Sequence, residues 1–153
     1  MTAGDLQPLL APRSIAIVGA SKSNPYASRL LVNLPGGGYT GRLYLVNPRQ
    51  ESIDGIACHP SIEALPEAAA LAILVVPQRA VLDVLDACGR KGIRAALIIS
   101  AGFGEAGEAG RAAQRAEPGE VGAAHGAFSI HIGTQKFRGV LPQFAKNLLG
   151  TER

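Results

Sequence analysis

The residues best able to do chemistry cluster at positions 19–24, Gly-Ala-Ser-Lys-Ser-Asn. They follow a short apolar run, Ser14–Val18, and precede a segment with apolar residues at 27, 30, 31 and 34. A glycine at the end of a strand lets the backbone approach a ligand, and N–H groups of the loop and the next helix then face an anion. Ser21, Lys22, Ser23 and Asn24 add side-chain donors. Phosphate binding is the chemistry this combination suits. The competing reading is a plain strand-to-helix turn that needs a glycine.

Spacing narrows the phosphate ligand. The dinucleotide fingerprint G-x-G-x-x-G falls on Gly19, Ser21 and Asn24, so only its first glycine is present. An NAD site also wants an acidic residue at the end of the second strand, to hold the ribose hydroxyls. Asn47-Pro48-Arg49 stands there instead. Without a carboxylate there is no preference for NAD, and Arg49 suits a phosphorylated ribose. Two ligands remain open on the residues alone: NADP, with its 2′-phosphate, and coenzyme A, with its 3′-phosphate.

Other reactive residues form no catalytic set. His59, His125 and His131 are the only histidines. His59 reads as a surface histidine in a loop before Pro60, His125 lies among Gly and Ala, and His131 falls on the solvent side of an alternating segment. Cys58 and His59 are adjacent, and neighbours on a strand point to opposite faces, which argues against a nucleophile–base pair. Cys58 and Cys88 give neither a disulfide framework nor metal spacing. Glu105 and Glu108 suit the start of a helix, where negative charge meets the dipole. Gly36–Gly38 reads as a flexible turn.

The elements that must position these residues follow from the hydrophobic pattern. Residues 14–18, 43–46, 71–76 and 95–99 read as strands; the first is a short apolar, β-branched run and the third is continuous in its hydrophobicity. Residues 27–34 read as a helix stopped by Pro35 and the glycines at 36–38. Residues 79–89 read as a helix with Val81, Leu82, Leu85 and Cys88 on one side, ended by Gly89 and Gly92. Residues 51–58 suggest a turn or small hairpin around Asp54-Gly55, and Ser61 the cap of a short helical turn ending near Leu65. A polar helix is expected over 105–116, a fifth strand over 127–132 and a closing helix over 140–149. Strands buried on both faces and alternating with helices predict a single-domain, Rossmann-like, doubly wound parallel α/β sheet. Such sheets bind ligands beyond the carboxyl ends of their strands. That directs attention to residues 19–24, 47–49, 76–77 and 100–103.

Bulk properties bound the rest. The 153 residues suffice for one domain with a real core. With 47% hydrophobic and 18% charged residues the chain reads as globular. No apolar run reaches the ~18 residues of a membrane span, and no signal peptide is read at the N-terminus. A cytoplasmic protein with no membrane partner is the default expectation. Residues 1–110 carry no net charge and residues 111–153 carry the whole +3. Spread thinly and without an aromatic ladder, that charge reads as a solvated surface rather than a nucleic-acid site.

Four segments at the predicted strand ends carry a resemblance: SIAIVGAS, the stretch from Asn33 to Pro48 ending in LYLVNP, LAILVVP, and ALIISAGFGEAGEAG. In this order they resemble the CoA-binding domain of NDP-forming acyl-CoA synthetases. That domain is similar to the N-terminal part of the succinyl-CoA synthetase alpha subunit, and occurs fused in protein-lysine acetyltransferases. Each motif alone is weak; the four in order are specific, and they cover about residues 6–115. The resemblance implies that Gly19, Ala20 and Ser21, with Lys22, Ser23 and Asn24, hold the CoA phosphates. It implies that Asn47, Pro48 and Arg49 lie near the adenosine and its 3′-phosphate. Val76 and Pro77 would form an apolar wall, and Ser100, Ala101, Gly102 and Phe103 would line the arm leading to the thiol. Coenzyme A or acyl-CoA is the implied ligand. Two departures stand out: Tyr26-Ala27-Ser28 replaces the small residue or glycine that usually opens the helix, and the family's Gly-Pro-Asn motif is absent.

The chain is therefore divided into a CoA-binding domain, residues 1–116, and a divergent C-terminal segment, residues 117–153. The family's phosphohistidine and nucleotide-binding domains are not recognised in it, so complete ligase activity is expected to need a partner subunit or further domains. The alternatives are an NADP-binding reductase-like domain, which lacks a visible hydride-transfer apparatus, and a non-catalytic acyl-CoA-sensing module. If the C-terminal segment leaves the sheet incomplete, the open edge would favour a homo-oligomer.

Overall fold

A computed structural model describes residues 7–99 and the backbone of 128–132. The elements in order are α1 (Gln7–Leu10), β1 (Ser14–Val18), α2 (Pro25–Gly36), β2 (Arg42–Val46), β3 (Ser52–Ile53), β4 (Ile56–His59), β5 (Leu71–Leu74), α3 (Gln78–Lys91), β6 (Ala95–Ile99) and β7 (Phe128–Ile132). The strands form one seven-stranded sheet in the order β3-β4-β2-β1-β5-β6-β7. Every pairing is parallel except that of β3 with β4.

Why these runs become central strands is visible in their alternation. Ile15 and Ile17 of β1, Leu71 and Ile73 of β5, and Leu97 and Ile99 of β6 join one core cluster, with Leu30 and Leu34 of α2. The intervening Ala16 and Val18, Ala72 and Leu74, and Ala96 and Ile98 join a second cluster, with Val81, Leu85 and Cys88 of α3. The sheet thus has helices on both faces, and β1, β5 and β6 are apolar because neither face meets water, save for the buried Ser14, whose hydroxyl accepts from the Ala70 N–H at 2.9 Å. The expected Rossmann-like α/β architecture is the one observed. β7 pairs in register with β6, from Ala95 opposite Phe128 to Ile99 opposite Ile132, and so covers an edge that β6 would otherwise leave open.

Several boundaries differ from the sequence expectation. α2 begins two residues earlier, at Pro25, and carries Pro35 in its last turn instead of stopping before it. The helix closes beyond the proline, where the N–H groups of Gly37 and Gly38 donate to the carbonyls of Asn33 and Pro35. α3 runs through Gly89 to Lys91 and ends on Gly92, in the left-handed region at φ 89°. Leu82, expected on its buried side, is exposed, and Ala87 is buried instead. The third predicted strand ends at Leu74, two residues short of the expectation, although the Val75 N–H still donates to the Val18 carbonyl at 2.8 Å and so continues the ladder with β1. α1 has no counterpart among the predicted elements; its four residues leave too little periodicity to detect. The helices predicted over 105–116 and 140–149 lie outside the described residues.

The β4–β5 connection holds no helix, but the turn expected after Ser61 is present, with the Leu65 N–H donating to the Ile62 carbonyl at 3.1 Å. Ser61 caps a turn through the Ala64 N–H, 3.3 Å away. Ile62, Leu65 and Ala69 of this connection cover the second core. Lys91 holds it down, its Nζ donating to the carbonyls of Glu63 at 2.9 Å and Leu65 at 2.5 Å. Cys88 lies beneath it, where burial and then the Glu63 carboxylate push its thiol up to about 12. Cys58 is half-buried, and burial raises its thiol too. A thiol reagent at pH 8 is therefore expected to leave Cys88 unmodified in the folded protein and to label it fully in denaturant. Rapid native labelling of Cys88, read by mass spectrometry, would contradict this packing.

Candidate functional site

Three strand ends meet at the carboxyl edge of the sheet, on the two sides of β1. The chain leaves β1 for β2 on one side and later returns to β5 on the other, which makes this the switch point of the topology. Gly19 sits at the centre with φ +83°. A Cβ there would lie 2.3 Å from the Val75 carbonyl oxygen and 3.1 Å from Val76 Cγ1. Only glycine permits both this backbone conformation and this approach of β1 to β5. The N–H groups of Gly19 and Ala20 both donate to the Val46 carbonyl, at 2.9 and 3.3 Å, which ties the same loop to β2.

Asn47 binds the two loops together. Its Nδ2 donates to the Ala20 carbonyl at 2.7 Å, and its Oδ1 accepts from the Arg49 N–H at 2.8 Å. Its own N–H donates to the His59 carbonyl at 2.9 Å. The Asn47 side chain therefore positions the phosphate-loop candidate against Arg49. Pro48 and Arg49 are exposed, and the Arg49 guanidinium has no carboxylate partner among the described residues.

In the loop from Ser21 to Asn24, Lys22 and Ser23 are exposed and Ser21 and Asn24 half-buried. Ser21 Oγ and Ser23 Oγ are 2.7 Å apart, and the Ser23 N–H donates to Ser21 Oγ at 3.2 Å. Asn24 caps α2: its Oδ1 accepts from the N–H groups of Tyr26 at 3.0 Å and Ala27 at 3.4 Å. This revises the expectation that the first N–H groups of the helix are open to an anion, since Pro25 has none and Asn24 occupies the next two. The donors left for an anion belong to the loop. Tyr26 is exposed. Across the gap, Val76 is half-buried beside Gly19, and Pro77 precedes α3, whose start has no side-chain cap. Ser100, Ala101, Gly102 and Phe103 lie outside the described residues.

Two further residues reach this region that the sequence reading does not place there. Asp54 stands in the β3–β4 turn, and its Oδ1 is 2.5 Å from Lys22 Nζ. Asp54-Gly55 is legible as a turn, but the docking of β4 on β2, which brings the turn to this loop, is not. His59, expected in a loop, ends β4, half-buried, with its ring edge-on to Tyr44 at 6.0 Å. Tyr44 belongs to the second core, whereas Cys58 packs on the first, so Cys58 and His59 do face opposite sides. Among the described residues no group of His, Cys, Asp and Glu could hold a metal ion, and no helix is long and apolar enough to cross a membrane.

The donor chemistry of this edge, hydroxyls and a lysine on one loop with an exposed arginine on the next, fits a ligand carrying several phosphates. Comparison with known proteins points the same way. Residues 13–126 match the CoA binding domain family. The ADP-forming acetate–CoA ligase II of Archaeoglobus fulgidus is 38% identical over 107 residues, 69% of this chain and 16% of that protein. The alpha subunit of the ADP-forming acetate–CoA ligase II of Pyrococcus furiosus is 40% identical over 98 residues, 63% of this chain and 21% of the subunit. The structure of acetyl-coenzyme A synthetase 1 from Ca. Korarchaeum cryptofilum, in complex with phosphate and ADP, superposes with a TM-score of 0.74 at 32% identity, over 82% of this chain and 27% of that one. The chain thus spans between about a seventh and a quarter of the length of the curated relatives it matches. It belongs to the CoA-binding domain family and is homologous to the N-terminal CoA-binding part of NDP-forming acetyl-CoA synthetases.

Proposed function

We propose that this chain binds coenzyme A or its acyl thioester at the carboxyl edge of the sheet and supplies the CoA-holding part of an acyl-CoA synthetase reaction. The observation that carries the reading is the convergence of Gly19–Asn24, Asn47–Arg49 and Val76–Pro77 at the switch point of a chain in this family. Coenzyme A is an anionic head on a long, mostly neutral arm. Ser21, Lys22 and Ser23 suit the diphosphate, Arg49 the 3′-phosphate, and Val76 with Pro77 an apolar flank. The arm is assigned to Ser100, Ala101, Gly102 and Phe103, which follow β6 in the sequence. When bound, the coenzyme supplies the thiol; the residues of this chain hold and orient it. The ligase relatives extend well beyond the part matched here, and one of them is a subunit, so a partner subunit or further domains are assigned the remaining chemistry.

Calorimetry and thermal shift with CoA, acetyl-CoA, dephospho-CoA, NADP and ADP test the reading. CoA at a hundred times its Kd should stabilise the fold by about 2.7 kcal/mol. Dephospho-CoA should bind more weakly. A response to NADP without one to CoA would overturn the assignment in favour of a reductase-like domain. Arg49→Ala should weaken CoA by roughly tenfold, the loss of one charge-assisted contact, and leave dephospho-CoA nearly unchanged. Equal losses for the two ligands would remove Arg49 from the 3′-phosphate.

A further inference from the structure

The β3–β4 hairpin delivers a carboxylate to the one cation of the phosphate-loop candidate. Between Gly19 and Asn24 the only charged side chain is Lys22. Its Nζ lies 2.5 Å from Asp54 Oδ1. Asp54 is not there by chance of a wandering side chain. It occupies the left-handed region at φ 51°, followed by Gly55 at φ 80°, the backbone of a tight two-residue hairpin turn. The hairpin is anchored through β4, which pairs with β2 at Leu45–Cys58 and Val46–His59. The Asn47 N–H bond to the His59 carbonyl continues that anchor to the site itself.

We propose that Asp54 is a counter-ion for Lys22 that the ligand's diphosphate displaces, so that the hairpin sets the affinity of the CoA site. The proposal rests on the CoA reading above and adds a regulating residue to it. Both partners are largely exposed, 64% and 57% for Lys22 and Asp54. An exposed pair of this kind is weak. A multiply charged diphosphate offers Lys22 more charge than one carboxylate does, and the exchange is favourable. The carboxylate nevertheless raises the threshold for any anion.

The test is the affinity of CoA, by calorimetry, for the wild-type chain, Asp54→Asn, Lys22→Met and the double variant. Asparagine tolerates the left-handed conformation and favours the same turn before glycine, so the hairpin is retained. An unchanged melting temperature without ligand checks this. Asp54→Asn should tighten CoA by about two- to fivefold, the scale of an exposed ion pair. The gain should be similar for dephospho-CoA, which keeps the diphosphate, and should vanish in the Lys22→Met background. Wild-type protein that binds CoA while Asp54→Asn shows no gain would overturn the proposal alone. A gain that persists without Lys22 would also overturn it, because Asp54 would then act on the ligand and not through the lysine. Wild-type protein that ignores CoA would overturn the site reading and this proposal together.

Discussion

Gly19→Ala is expected to destabilise the folded protein by about 2–4 kcal/mol, a large part of the roughly 5–15 kcal/mol typical of a domain. Two costs combine. The first is the left-handed backbone at φ +83°, which an alanine adopts at about 1 kcal/mol or somewhat more. The second is a contact that no side-chain adjustment relieves, since the new Cβ would sit 2.3 Å from the backbone oxygen of Val75. Relief requires the ends of β1 and β5 to separate. That movement strains the Val75 N–H bond to Val18, 2.8 Å, and the Gly19 N–H bond to Val46, 2.9 Å. Gly38→Ala separates the two costs: its φ is +82°, but nothing lies within 4 Å of the added Cβ. It should lose only about 1 kcal/mol. Urea titration of both variants checks the difference, and similar midpoints would mean that β1 and β5 do not approach this closely.

Much of this arrangement is legible in the residue pattern. β1, β5 and β6 announce themselves as apolar runs because both of their faces are buried, and β7 because Phe128–Ile132 alternates. Once the sheet is read as parallel, chain order alone places residues 19–24, 47–49 and 76–77 at one edge. Helix ends are less legible. Pro35 stays inside α2 because a proline in the last turn gives up a single N–H, while Gly37 and Gly38 still close the helix beyond it. Gly89 stays inside α3 because the packing of Val81, Leu85 and Cys88 outweighs the modest helix propensity it forfeits.

The contacts between loops leave no such trace. The family resemblance implies only that Asn47 lies near the adenosine. Its partner Ala20 is 27 residues away, and nothing local specifies the bond. The Lys22–Asp54 pair is hidden for the same reason. The hairpin is expected, but its docking on β2 depends on only two registered residue pairs. Local patterns identify elements; the site depends on how their ends meet.

The second large effect tests that meeting directly. Asn47→Asp keeps the shape of the side chain and the acceptor for the Arg49 N–H, but replaces the donor to the Ala20 carbonyl with an oxygen. At neutral pH a carboxylate oxygen would face a carbonyl oxygen across the 2.7 Å that now holds a hydrogen bond. The expected loss is about 2–3 kcal/mol, more than for Asn47→Ala, which removes both bonds but introduces no charge. The sign of the pH dependence distinguishes this cause from a general loss of packing. Repulsion by the Ala20 carbonyl disfavours the charged form, so the introduced carboxyl has a higher pKa folded than unfolded. The protonated acid can donate to Ala20 again. Relative to the wild type, whose asparagine does not titrate, the variant should therefore recover as pH falls through the carboxylate range, and lose stability as pH rises through the folded-state pKa. CoA binding should weaken in parallel, because the Ala20 loop and Arg49 would no longer be held together. Thermal melts of the two variants and the wild type across that pH range decide the matter: a deficit for Asn47→Asp that does not change with pH would mean that the Asn47–Ala20 bond is not what joins the two loops.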